Sequence, residues 1–144
     1  MITQGQCGSF RKELLEGYHA FDSAYRAADT FMIALYTAAA SLDPSTTTVY
    51  TGTGEVSGTG YSTGGIVLSP IAPSQSGVTA YLSFLDAVWT GASFTANGAL
   101  IYNSTQGNRA VCILAFGGDK TPVNNTFTVT FPANGATTSV LRFY

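Results

Sequence analysis

Between Ser9 and Phe21 the apolar residues recur at helical spacing. Phe10, Leu14, Leu15, Tyr18 and Phe21 share one stripe, while Arg11, Lys12, Glu13 and Glu16 fall elsewhere on the wheel. The spacing predicts a short amphipathic helix with Ser9 as its N-cap. Gly17 weakens such a helix by about 1 kcal/mol relative to Ala, so it must dock on its own sheet or on another chain to persist. From Thr30 the period changes. Thr30 to Thr37 is apolar on both alternating faces, the mark of a central strand buried on both sides. Thr126 to Phe131 alternates Phe127, Val129 and Phe131 with threonines, as a strand with one wet face does. Further strands are predicted over Thr47–Thr51, Gly65–Ser69, Val78–Leu85, Ala87–Trp89, Gly98–Ser104, Ala110–Phe116 and Ser139–Phe143, with Gly, Asn or Pro in nearly every gap. Eight or nine short strands so spaced predict a mainly β fold, an antiparallel β-sandwich or jelly roll. The expected organisation is one domain: an N-terminal arm and short helix over 1–28, then the sandwich over 29–144.

Composition narrows the functions available. Thr, Ser and Gly make up 49 of the 144 residues, and charged residues only 10%, so side-chain hydroxyls and turns replace the usual charged surface. Seven of the fourteen charges crowd between Arg11 and Asp29. Six Lys and Arg, scattered along the chain, are too few for a basic nucleic-acid face. An apolar share of 45% argues against disorder. No apolar run approaches the roughly 18 residues of a membrane span. Met1 to Phe10 lacks the basic start and apolar stretch of a cleavable secretory signal, so synthesis in a cytoplasm is expected. Cys7 and Cys112 suit that compartment: they form no CxxC, Cys112 is expected in the core, and Cys7 reads as a terminal thiol.

Convergent chemistry is sparse. His19 is the sole histidine, and with Asp22 three residues on it could form a His/Asp pair serving a serine nucleophile. A solvated polar helix face explains that pair better, and no Gly-x-Ser-x-Gly holds a serine on a strained turn. One His and two distant Cys do not make a zinc site. Asp43, Glu55, Asp86 and Asp119 could meet in space as a hydrolytic carboxylate pair, which sequence cannot show. The expectation is therefore no catalytic site, no cofactor and no metal. Gly52 to Gly65 is glycine-rich, but Ile66-Val67-Leu68 follows it as a strand rather than a phosphate-binding helix. Gly58, Gly60, Gly64 and Gly65, with Tyr61, are expected to make a structural turn in which chains cross closely. Asn103-Ser-Thr105 and Asn124-Asn-Thr126 match the glycosylation pattern and read as chance matches in a Thr-rich chain. Trp89 and the tyrosines Tyr36, Tyr50, Tyr61, Tyr81, Tyr102 and Tyr144 could form a sugar platform, although core or interface is the commoner fate of such residues. A nearly uncharged surface suits a protein that lives inside an assembly.

Three segments in order, Ser9-Phe-Arg-Lys-Glu-Leu-Leu15, Asp29 to Leu35-Tyr-Thr37, and Glu55-Val-Ser-Gly-Thr-Gly-Tyr61 followed by Gly64-Gly65, resemble a family of tailed-bacteriophage virion proteins over most of the chain. That resemblance implies a small jelly-roll capsid cement or decoration protein. It would bind the outer surface of the major capsid protein shell and stabilise it, on virions assembled in the host cytoplasm. Some relatives serve instead at the tail or head-tail junction. A homodimer or homotrimer could bridge a local symmetry axis through an edge strand or the helix. Phe10, Leu14, Leu15 and Tyr18 are the candidate partner-binding residues. The competing class is a carbohydrate-binding adhesion module, which requires a concave aromatic pocket.

Overall fold

The computed structural model describes Met1–Tyr144. Ten strands and one helix follow in the order β1 (Gly5–Gln6), α1 (Gly8–Leu15), β2 (Phe31–Tyr36), β3 (Ile66–Leu68), β4 (Ser74–Ser76), β5 (Thr79–Leu82), β6 (Ala87–Ala92), β7 (Ala96–Asn103), β8 (Arg109–Lys120), β9 (Asn125–Val129) and β10 (Leu141–Phe143). The strands form a five-stranded sheet, β1-β8-β7-β2-β3, a three-stranded sheet, β10-β5-β4, and the pair β6-β9, every strand pairing being antiparallel. The fold is mainly β, as the periodicity predicts. No helix is long and apolar enough to cross a membrane.

Burial explains why β2 and β7 read as continuous apolar runs. In β2 only Met32 is not fully buried, and in β7 only Asn97. Register divides their side chains between two faces, since directly opposed residues of an antiparallel pair project to the same side. Phe31 and Ile33 lie opposite Asn103 and Ile101, and so share one face. Met32 and Ala34 lie opposite Tyr102 and Leu100 on the other. Over the first face come α1, the 17–29 segment and the small sheets, joined through stacked Phe21–Phe31 rings at 4.4 Å and contacts of Phe21 with Phe84 and Phe10 with Phe143. Over the second runs the 43–65 loop, where Tyr50 stacks on Tyr102 and the Tyr102 hydroxyl donates to the Gly64 carbonyl at 2.7 Å. A third aromatic group, Trp89, Phe94, Phe116 and Phe127, ties β6-β9 to the far end of β8.

Three expectations need correction. The helix ends at Leu15 rather than reaching Phe21, because Gly17 turns the chain at φ +79°. Its N-cap is Cys7, without a side-chain cap; the Ser9 hydroxyl is buried and unpartnered. Thr47–Thr51 is not a strand and contributes one bridge, Val49 to Arg109. The N-terminal segment packs on the sheet, since β1 pairs with β8, the Cys7 amide donates to the Val111 carbonyl at 2.9 Å, and Phe10 is fully buried. β1 and the exposed polar β4 lie outside the predicted strands.

The glycine-rich loop lies directly against the backbone of β2. A Cβ on Gly65 would sit 1.8 Å from the Ile33 carbonyl oxygen, at a φ of +80°. Gly107 has a similar φ, +69°, but open space around it. Gly65→Ala is therefore expected to cost about 3 kcal/mol or more in urea unfolding, against about 1 kcal/mol for Gly107→Ala. Equal costs would show that conformation alone, not the crossing over β2, requires Gly65.

Candidate functional site

Three of the charges crowded between Arg11 and Asp29, namely Glu13, Arg26 and Asp29, fold with His19 and Arg109 into one polar network. Asp29 stands at its centre with its side chain 1% exposed. It accepts from both Arg26 guanidinium nitrogens at 2.8 and 3.2 Å, from the Ala20 amide at 2.8 Å, from Asn103 Nδ2 at 2.8 Å and from Gln106 Nε2 at 3.2 Å. Asn103 is fully used: its Oδ1 accepts the Thr105 and Gln106 amides, and its Nδ2 faces both Asp29 and His19 Nδ1, the latter at 3.0 Å. That arrangement makes the amide the donor and His19 Nδ1 the acceptor. His19 Nε2 then carries the proton, which it donates to Glu13 Oε2 at 2.8 Å. Glu13 Oε1 in turn accepts from Arg109 at 2.9 Å, and the Arg109 guanidinium lies 4.2 Å over the Tyr18 ring.

These contacts set the charges. Burial alone would raise the Asp29 carboxyl, but hydrogen bonds from Arg26, Asn103, the Ala20 amide and Gln106 together hold it far below the usual carboxylate range. Burial lowers His19, and the Glu13 contact offsets this only in part. A proton on Nδ1 would also face the Asn103 amide donor, so the neutral Nε2–H form fits the site. The network is two carboxylates, two guanidiniums and a neutral imidazole, and its charges balance. It clamps the turn after α1 onto the ends of β7 and β8. Burial pushes both thiols, Cys7 and Cys112, up to about 12, which leaves them protonated and unreactive.

His19 is thus not on a solvated face, and it does not pair with Asp22, whose carboxylate accepts from the Ala24 amide. The α1 periodicity concealed this because the helix stops before His19. The four carboxylates considered for hydrolysis are each held locally. Asp43 accepts from Ser45, Asp86 from the Phe131 amide, and Asp119 from Asn97. Glu55 accepts from the hydroxyls of Tyr50 and Tyr61, both at 2.6 Å, and from the Gly64 amide at 2.7 Å. No group of three or more His, Cys, Asp or Glu gathers as metal ligands.

The glycine turn is a structural element of the fold. The Leu35 amide donates to the Tyr61 hydroxyl at 2.9 Å, the Val56 amide to the Leu35 carbonyl, and the Thr37 amide to the Gly54 carbonyl. Added Cβ atoms on Gly58 and Gly60 would meet the Ser93 and Gly91 carbonyl oxygens at 2.6 and 2.8 Å. Burial followed by the Glu55 hydrogen bond raises the Tyr61 and Tyr50 hydroxyls, which therefore stay neutral donors. Trp89, Tyr36 and Tyr102 are core residues and cannot offer a sugar platform. Asn103 is buried and closed to glycosylation.

The candidate docking residues separate. Phe10 is fully buried, packed edge-on to His19 and Phe21, so it belongs to the core and is withdrawn from any contact surface. Leu14 is half-buried against the core. Leu15 is 91% exposed, and Tyr18 is partly exposed beneath Arg109. Leu14 and Leu15 open with Phe143 onto a depression of about 450 Å³, edged by Arg11 and Lys12. The adjoining Arg142 and Tyr144 have no counterpart in the helical pattern; only the tertiary placement of β10 beside α1 reveals them. No protein-family model, curated protein or solved structure matches this chain.

Acid should weaken the fold in two stages. His19 binds a proton less readily folded than unfolded, so stability falls as pH drops below its ordinary value of 6.5. The Asp29 contribution is complete above the ordinary carboxylate value of 3.8 and is lost as pH falls from there through the folded value. Urea midpoints across pH should show the first slope vanish in His19→Gln and the second in Asp29→Asn. Asp29→Asn should also cost about 3 kcal/mol at neutral pH. Variants with the parent's pH profile would contradict the network.

Proposed function

We propose that this chain is a capsid cement or decoration protein of a tailed bacteriophage, a jelly-roll-type domain that binds the outside of the major capsid shell and stabilises it. The observation that carries the reading is the placement of Leu14 and Leu15. A helix whose inner face is fixed by Phe10 and Glu13 in the core presents a nearly bare leucine and a half-bare one to solvent. With Phe143 they adjoin as an apolar surface patch of the kind that partners cover. Two of the three segments that carry the virion-protein resemblance are joined directly, through Leu35 with Tyr61 and Val56. Cementing needs buried area across neighbouring shell subunits, roughly 800 Å² per partner, and no reactive group. Weak contacts repeated over a shell add by avidity, and a homodimer or homotrimer would multiply them.

Two experiments test this. Quantitative mass spectrometry of purified particles should give a copy number that is a fixed large fraction of the major capsid protein. A handful of copies would move the chain to the tail or head-tail junction, and absence from particles would overturn the virion reading and favour an adhesion module. Leu14→Ser with Leu15→Ser should release the protein from shells while the circular dichroism of the free domain stays unchanged. Retention on shells by the folded double variant would remove α1 from the contact.

A further inference from the structure

The depression beside Leu14 and Leu15 continues in both directions. It shares Arg11 and Phe143 with a neighbouring hollow of about 390 Å³ that reaches Arg142 and Tyr144, and shares Leu14 and Phe143 with one of about 230 Å³ that reaches Tyr81 and Pro73. Adjoining through these shared residues, they make a trough across α1, β10 and β5, apolar toward Tyr81 and Pro73 and polar at the end lined by Gln6, Arg11 and Arg142. Of six cationic residues in the chain, Arg11, Lys12 and Arg142 border it. The chain forms four ion pairs, Lys12–Glu16, His19–Glu13, Arg26–Asp29 and Arg109–Glu13, and none uses Arg11 or Arg142. Arg11, without a carboxylate partner, lies beside the exposed Leu15, while Arg142 borders the adjoining hollow and donates through Nη1 to the Thr137 carbonyl at 3.0 Å.

We infer that this trough receives an acidic, apolar segment of another protein, its carboxylates on Arg11 and Arg142 and its apolar side chains on Leu14, Leu15 and Phe143. Guanidinium binds carboxylate through two parallel hydrogen bonds, which fixes the orientation of the segment as well as its charge. A second copy of this chain is disfavoured as occupant, because a two-fold contact sets each patch against itself and would face the cationic edge of one copy with the cationic edge of the other. An anionic bilayer calls for clusters of about four to eight cations, and this edge has three, one already paired with Glu16. The inference deepens the docking reading and rests on it for the partner's being a protein. Its test uses no phage particles, so its failure and that of the virion assignment are separate results.

The test is an amide-shift titration of the full isotope-labelled chain with a short blocked peptide alternating glutamate with leucine and phenylalanine, and with the same peptide carrying lysine for glutamate. The acidic peptide should shift Arg11 to Leu15 and Arg142 to Tyr144. It should bind about tenfold more tightly than the lysine peptide, and added salt should narrow the difference. Arg11→Glu with Arg142→Glu should invert the preference while amide positions outside the trough stay unchanged. Should that variant fail to fold, the two-peptide comparison on the parent chain still decides. Equal binding of both peptides, or no binding of the acidic one, overturns the inference. So does concentration-dependent shifting of the same residues without peptide, which assigns the trough to a second copy. Preferential shifting by vesicles of phosphatidylserine and phosphatidylcholine also overturns it and assigns the trough to a membrane.

Discussion

The hydrogen bonds converging on the Asp29 carboxylate are the constraint on which the N-terminal third of the molecule depends. A buried carboxylate is costly unless its oxygens are satisfied, and here Arg26, the Ala20 amide, Asn103 and Gln106 satisfy them. Because Asn103 and Gln106 come from the β7 end and the turn after it, the carboxylate can be satisfied only with the 17–29 segment laid against the sheet. His19 then reaches Glu13, and Glu13 reaches Arg109 on β8. A helix of eight residues, marginal alone, is thereby held in one orientation. The face left outward is the one bearing Leu15.

A third carboxylate, the half-buried Glu55, plays the matching role on the opposite face of the sheet. Its bonds to Tyr50, Tyr61 and the Gly64 amide shape the glycine turn, and the turn's small residues let its backbone lie directly on β2. In a chain with eight acidic residues, three of them, Glu13, Asp29 and Glu55, organise long loops rather than the surface. The low charge content and the many tyrosines are two sides of this arrangement, since hydroxyls and amides supply the donors that lysines supply elsewhere.

Strand positions were legible because burial writes itself into period. β2, β7 and β8 carry long apolar runs, and β9 its alternation with threonine. What sequence concealed is tertiary. Helical spacing continues from Leu15 through Tyr18 to Phe21 as though one helix held them all, and only the left-handed Gly17 breaks it. Phe10 and Leu14 share a stripe, yet Phe10 is core and Leu14 is rim, because β10 approaches from across the chain. His19 looked solvated for the same reason: its partners Glu13 and Asn103 are six and eighty-four residues away. Thr47–Thr51 has strand-forming residues but pairs with the start of β8 only around Val49, too briefly to make a strand.

The closed network beneath α1 fixes the orientation in which the helix turns Leu15 outward. The single histidine makes that closure directly measurable by nitrogen-15 and carbon-13 magnetic resonance of the imidazole across pH. The network requires one fixed tautomer, Nε2–H, and a titration midpoint below the ordinary histidine value of 6.5. Averaged tautomers and a midpoint at the ordinary value would mean that His19 is free in solvent, and the clamp on the helix would not exist.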